Sequence, residues 1–347
     1  MGIKDNFYYD NIIQRFKNGE IDVSEALGNY INKKNQAYTI KKTFDQKEEK
    51  TKIQLQENND LKTEDLIVKK EDNNIINETN MKHLFKKMNS LIGLENVKKI
   101  IKEYIAYIKI QKIREIYGLK SSPIVMHMIF KGNPGTGKTT MARIIGEIFK
   151  ELGIIKNDKI LEIERADLVG EYIGHTAQKT KKIIEKAIGG ILFVDEAYSL
   201  ARGGEKDFGK EAIDTMVKAM EDNKDNLIII LAGYRKEMDA FLKTNPGLSS
   251  RFALHIDFPD YDIDDLVKIA EMMYKEREYI LTKDSKHYIY NVISKLRYKE
   301  NINGNARTVR NLVEQSIRKQ AKRIINKNVI KKEQLIYITK EDLIQEE

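Results

Sequence analysis

The sequence predicts an α/β fold: a parallel sheet flanked by helices, followed by an all-helical region. Three observations carry this. Four short apolar runs, rich in β-branched residues, recur along the chain: 124–130 (IVMHMIF), 159–164 (KILEIE), 191–194 (ILFV) and 227–231 (LIIIL). Strands buried on both faces need such runs. Helical stretches separate them, and alternating strands and helices imply a parallel sheet covered on both faces. After Asp260 the pattern is helical nearly to the end.

Taken in order, residues 1–37 are expected to form a short N-terminal helical segment. Its apolar positions, Ile12, Ile13 and Phe16, then Val23, Ala26, Leu27, Tyr30 and Ile31, fall at helical spacing around Gly19. Residues 38–80 are polar, mixed in charge and poor in aromatic residues, as expected of a flexible linker. Order returns near Met81. Val97, Ile100, Ile101, Tyr104, Ile105 and Ile108 share one helix face. The four apolar runs then supply buried strands, and 254–258 (LHIDF) is a candidate fifth. These bounds suggest a sheet-containing core over 81–260 and a helical domain over 261–347, with a short extended piece at Ile336–Ile338. No internal repeat is present.

Composition excludes several functions. The chain has 347 residues and no cysteine, which removes disulfide frameworks, thiolate zinc sites and cysteine chemistry. No apolar run reaches the roughly 18 residues of a membrane span. The N-terminal MGIKDNFYYD lacks the apolar core of a signal peptide, so a cytoplasmic protein with no membrane partner is expected. The net charge of +8 is compatible with nucleic acid, anionic lipid or simple solubility. No aromatic residues interleave with a basic groove, as a polynucleotide tracker would require.

The chemistry begins directly after the first run. Gly132, Asn133, Pro134, Gly135, Thr136, Gly137, Lys138, Thr139 and Thr140 contain the pattern G-x-x-x-x-G-K-[ST] at every fixed position. The glycines let backbone N–H groups curl round an anionic phosphate. The helix that follows points its positive end at the same charge. Lys138 has the reach to meet β- and γ-phosphates, and the Thr139 hydroxyl suits Mg²⁺. A strand before the loop and a helix after it complete the context of a nucleoside-triphosphate site. About 55 residues on, ILFVDEAYSL ends a buried strand with two acids. Asp195 is the second candidate Mg²⁺ ligand, and Glu196 the candidate base that activates the attacking water.

These residues, together with LIGLENVKK, ADLVGEYIGHTAQKT, DFGKEAIDTMVKAME, LAGYRKEMDAFLKTNPGLSSRF and GNARTVRN, resemble the AAA+ ATPases. More closely, they resemble the subfamily that contains CbbX, the activase of red-type Rubiscos, and stage V sporulation protein K. The resemblance spans about residues 91–320. It implies an AAA+ core with a C-terminal helical lid and a homo-oligomeric ring, a hexamer above all. Arg251 then matches an arginine finger that acts in a neighbour's site, with Ser249 where many relatives carry a second arginine. Arg307 matches the sensor-2 arginine, with Arg310 as the alternative. Gly93 and Leu94 match a segment that contacts adenine. Tyr234 stands about where many relatives place a sensor-1 asparagine, and that role stays open.

The same resemblance makes GEYIGHT (170–176) a channel loop. Tyr172 would grip extended peptide by contact area alone, backed by Ile173, with Gly174 and Gly170 letting the loop move. A nucleic-acid motor would place Lys or Arg there, so a protein client is expected and nucleic acid is not favoured. Two alternatives remain: a nucleic-acid-associated ATPase of the same class, and a nucleotide-switched assembly scaffold. Of the histidines, His127 falls within a buried run and reads as structural, and His175 reads as a surface residue beside the channel loop.

Overall fold

The computed structural model describes residues 78–120, 124–172, 174–202, 208–224, 226–252, 254–299, 304–325 and 331–344. The expected N-terminal segment, Ile173 and nearly all of the expected linker lie outside these residues. Glu78 to Asn80, the linker's last residues, open α1 (Glu78–Asn89).

Helix α2 (Glu95–Ile116) leads into β1 (Met128–Lys131). Alternation then follows: α3 (Lys138–Glu151), β2 (Ile160–Ile163), α4 (Arg165–Leu168), α5 (His175–Ala187), β3 (Ile191–Val194) and α6 (Gly209–Asp222). Strand β4 (Ile228–Gly233), α7 (Arg235–Thr244), α8 (Pro246–Ser249) and β5 (Leu254–Asp257) complete the core. The five strands form one parallel sheet in the order β2-β3-β4-β1-β5.

Burial explains the apolar runs at β1, β3 and β4, whereas β2, expected to be buried, lies at the sheet's edge with only Ile163 buried. One side of the sheet presents Ile129, Leu192, Val194, Ile229 and Leu231 to a cluster with Ile184, Ile213, Met216 and Phe241 from α5, α6 and α7. Phe130, Ile191, Phe193 and Ile230 point the other way and are equally buried. There Gly146 of α3 approaches Ile191 and Ile160. The first run is helped into place by a side chain. His127, 5% exposed, stands just before β1. Its Nδ1 accepts the Ile229 N–H at 3.1 Å, where the strand's own backbone does not pair.

Helices α9 (Ile263–Glu276), α10 (Lys283–Lys299) and α11 (Asn305–Ile325) build the C-terminal part. It ends in α12 (Lys332–Ile336) and α13 (Lys340–Leu343). It is not wholly helical: β6 (Ile280–Leu281) pairs in parallel with β7 (Tyr337–Ile338). Arg323 grips the buried Asp342 through two bonds of 2.8 Å. Burial alone would raise the Asp342 pKa, but the bonds from Arg323 and Thr339 outweigh it and the net shift is downward. The Gln320 amide donates to the carbonyls of Gln334, Leu335 and Tyr337, tying the last turns to α11.

The buried imidazole of His127 makes stability depend on pH. Burial lowers its pKa from 6.5 to about 4, against a backbone bond to Met220 that raises it. As pH falls below 6.5 the unfolded chain takes up a proton that the folded chain refuses, so stability falls until about pH 4. The loss by pH 5 amounts to about 2 kcal/mol. His127→Asn keeps an acceptor for Ile229 but cannot titrate. The stability gap between wild type and this variant in urea should therefore narrow from pH 7.5 to pH 5.

Candidate functional site

Because β1 lies between β4 and β5, the loop after it leaves the sheet near the middle of its C-terminal edge. Parallel α/β sheets hold their ligands at that edge. The end of β3, with Asp195 and Glu196, is two strands away, and Tyr234 at the end of β4 stands between.

Each carbonyl from residue 132 to 136 has a donor. Lys138 Nζ donates to the carbonyls of Gly132 (2.8 Å) and Asn133 (2.9 Å), and the Thr136 hydroxyl adds a second bond to Asn133. The other three are met from beyond the sheet. Asn305 Nδ2 donates to Pro134 O at 3.4 Å, Ala306 N–H to Gly135 O at 3.2 Å, and the Tyr261 hydroxyl to Thr136 O at 3.3 Å. Helix α11 comes so close that a Cβ on Gly135 would lie 2.3 Å from Gly304 O. The φ of +73° there is a second reason for glycine. Gly137, at φ +91°, caps α3, so Lys138 and Thr139 stand in the helix's positive first turn, with the exposed Thr140 beside them.

Electrostatics gather the remaining candidates. Burial lowers the Lys138 pKa, and the Asp195 carboxylate opposes it; Arg307 lowers it further, while Asp260 and Glu196 raise it. Arg307, not Arg310, is thus the α11 arginine whose charge is felt at Lys138. Asp195 Oδ1 accepts the Glu196 N–H at 2.9 Å. Glu196 sits in the left-handed region (φ 46°, ψ 41°), with its side chain exposed toward a cleft shared with Glu164, Arg165, Lys179 and Ser199. Backbone held in this region by a non-glycine residue costs about 1–3 kcal/mol and gathers at functional sites. Beside Glu196, the Tyr198 ring is 5.8 Å from that of Tyr234 and under the Arg202 guanidinium at 4.8 Å. Burial, then the Glu196 charge, pushes the Tyr198 pKa up to about 12. Thr139 and Asp195 offer a hydroxyl and a carboxylate, a hard oxygen set that suits Mg²⁺.

Gly93 and Leu94 both have positive φ, 62° and 61°. They bring the chain against Tyr261 and the phosphate loop: a Leu94 methyl and the Tyr261 hydroxyl both lie beside Gly137. Two candidates stand apart from this cluster. Arg251 is ion-paired with Glu221 and donates to Gly247 O at 2.9 Å. Tyr172 is 66% exposed, with its ring edge-on to His175 at 5.5 Å. The turn is closed by His175 N–H on Tyr172 O and by Gly170 N–H on the Thr176 hydroxyl, and Gly174 adopts φ +80°. Sequence reasoning missed Asn305, Tyr261 and Asp260. Asn305 stands within the quoted GNARTVRN, two positions before the arginine that drew attention instead.

Gly135 offers a direct test. Gly135→Ala should fold, judged by circular dichroism, yet displace α11 or the loop by about 1 Å. That should lower ATP turnover about 100-fold; turnover near wild type would mean that the close approach does not matter.

Family comparisons agree with this architecture. Residues 128–260 match the ATPase family associated with various cellular activities (AAA), and 262–347 match the AAA lid domain. The chain is 53% identical over 272 residues to stage V sporulation protein K of Bacillus subtilis, covering 77% of this chain and 84% of that protein. It is 42% identical over 238 residues to the chromosomal CbxX protein of Cupriavidus necator, covering 68% of this chain and 75% of that protein. The FIGL-1 AAA domain, solved in complex with ADP, superposes with a TM-score of 0.52 at 16% identity, over 73% of this chain and 80% of that one. This chain belongs to the AAA ATPases, with an AAA lid behind its nucleotide-binding core, and is an ATP-hydrolysing enzyme.

Proposed function

We propose that the chain is one subunit of an ATP-driven homo-oligomeric ring, a hexamer, that pulls a protein client through a central channel. The observation that carries this is Tyr172: a large aromatic ring, two-thirds exposed, on a turn flanked by Gly170 and Gly174. A ring grips extended polypeptide by contact area, without regard to sequence. Arg251 supports the oligomer. It is paired with Glu221 and not with its own phosphate loop, as suits a cation that completes a neighbour's site. The division of labour follows residues 81–260 as motor core and 261–347 as lid.

In this reading the amides of Gly135 to Lys138 and the Lys138 ammonium bind the phosphates, and Gly93 and Leu94 flank the base. Mg²⁺, when bound, would neutralise phosphate charge, and Thr139 and Asp195 would hold it. Glu196 orients the attacking water and takes its proton. Arg307 from the same subunit and Arg251 from the next meet the charge that develops on the γ-phosphate. The cysteine-free chain suits a reducing cytoplasm. The name of the Bacillus subtilis relative supports a client in sporulation.

Two variants test the motor. Glu196→Gln should bind ATP normally and lower turnover about 10²- to 10⁴-fold; full function in its ATP-bound ring would favour the scaffold reading. Wild-type ATPase should rise with an unfolded polypeptide and not with single-stranded DNA. Tyr172→Ala should keep basal turnover and lose that stimulation. Stimulation by DNA alone would replace the protein client with nucleic acid.

A further inference from the structure

We infer that Asn305 and Tyr261 are positioning residues that orient the phosphate loop from the lid, so that nucleotide affinity is set by whether the lid is seated. This rests on reading residues 132–139 as the phosphate-binding loop.

The argument starts from peptide planarity. In a trans peptide the carbonyl of one residue points opposite to the N–H of the next. Holding the carbonyls of Pro134, Gly135 and Thr136 toward the lid therefore turns the N–H groups of Gly135, Thr136 and Gly137 to the other side of the loop. Those are the donors a phosphate needs, and a glycine-rich loop will not hold them that way unaided, because glycine has the widest choice of backbone conformations.

Each of the three carbonyls is held from the lid side by a different donor: the Asn305 amide, the Ala306 N–H and the Tyr261 hydroxyl. Asn305 organises the set. It is 5% exposed and adopts φ +46°, a conformation asparagine tolerates better than most residues. Its Oδ1 accepts the Tyr261 N–H at 3.0 Å, and its Nδ2 also meets Asp260 Oδ1 at 2.8 Å. Asp260 reaches back to the loop, accepting from Asn133 Nδ2 at 3.0 Å on both oxygens. Arg297 donates to the Tyr261 carbonyl, fixing that residue from α10. One side chain thus joins the loop, the core–lid junction and the first turn of α11. Movement of the lid away from the core would free three carbonyls together and let the amides turn from the phosphate.

Asn305→Gly tests this cleanly, because glycine keeps the left-handed backbone and loses only the amide. Tyr261→Phe removes one hydroxyl. The probe is fluorescently labelled ADP, titrated against the full chain. Asn305→Gly should raise the ADP dissociation constant about tenfold and Tyr261→Phe about threefold. KM for ATP should rise in step, while kcat at saturating ATP stays within about twofold. Amide exchange of residues 135–137 should quicken in both variants. Unchanged ADP affinity in Asn305→Gly would overturn the proposal. So would a fall in kcat and thermal midpoint at constant KM, the signature of a merely structural residue. Failure of wild type to bind ADP would instead remove the phosphate-loop reading on which the proposal stands.

Discussion

A chain that is to hold a triphosphate must turn several consecutive N–H groups toward one point, and the matching carbonyls must go somewhere. Residues 132–136 meet that demand by turning their carbonyls to named donors. Two come from within the loop region, Lys138 and Thr136; three come from Tyr261, Asn305 and Ala306. Buried carbonyls are rarely left unmet. Much else follows. Gly135 must lack a side chain because Gly304 and Arg307 stand against it. Helix α11 must begin where it does to present the Ala306 N–H. Arg307, one residue on, is thereby carried close enough to lower the pKa of Lys138.

The charges around this loop are arranged in opposition. Lys138 is partly withdrawn from water, which disfavours its charge, and Arg307 adds like charge. Asp195, Asp260 and Glu196 act the other way. The local balance is therefore short of positive charge on the carboxylate side, between Asp195 and Glu196, and rich in it on the side of Lys138 and Arg307. A magnesium–triphosphate pair has the complementary polarity.

The parts of this molecule legible in its sequence were those set by local pattern. The runs 191–194 and 227–231 are strands because both faces of each are buried, which writes itself as continuous apolar residues. The run at 124–130 placed β1 a few residues early: His127 is buried too, but it bonds β4 through its ring and the ladder starts only at Met128. The phosphate loop was legible because its geometry demands fixed glycines. What stayed hidden depends on partners far along the chain. Ile280–Leu281 is a strand because Tyr337–Ile338 lies beside it. Asn305 matters through Pro134, 171 positions earlier, and nothing in GNAR announces that contact. Arg251 was marked by its motif, whereas Glu221, which ends the segment DFGKEAIDTMVKAME, carries nothing there that marks it as the partner of an arginine 30 positions on.

A ring motor of the kind proposed needs the chemistry at Glu196 to be felt at Tyr172, and short polar ties join the two. Arg165, at the start of α4, donates to Ser199 O at 2.7 Å in the turn that follows Glu196. Lys179 of α5 donates to the carbonyls of Ala166 and Val169, and Thr180 to that of Leu168. Both flanks of the Tyr172 turn are thus fastened to α4, and α4 to the turn after β3. That turn has little freedom of its own: Ser199 N–H bonds Glu196 O, Glu196 N–H bonds Asp195 Oδ1, and Glu196 is held in a strained left-handed conformation. Strain at one residue persists only where its surroundings over-determine it. A change at Glu196 therefore has a polar route toward Tyr172 through Ser199 and Arg165, beside the bond that leads back to Asp195.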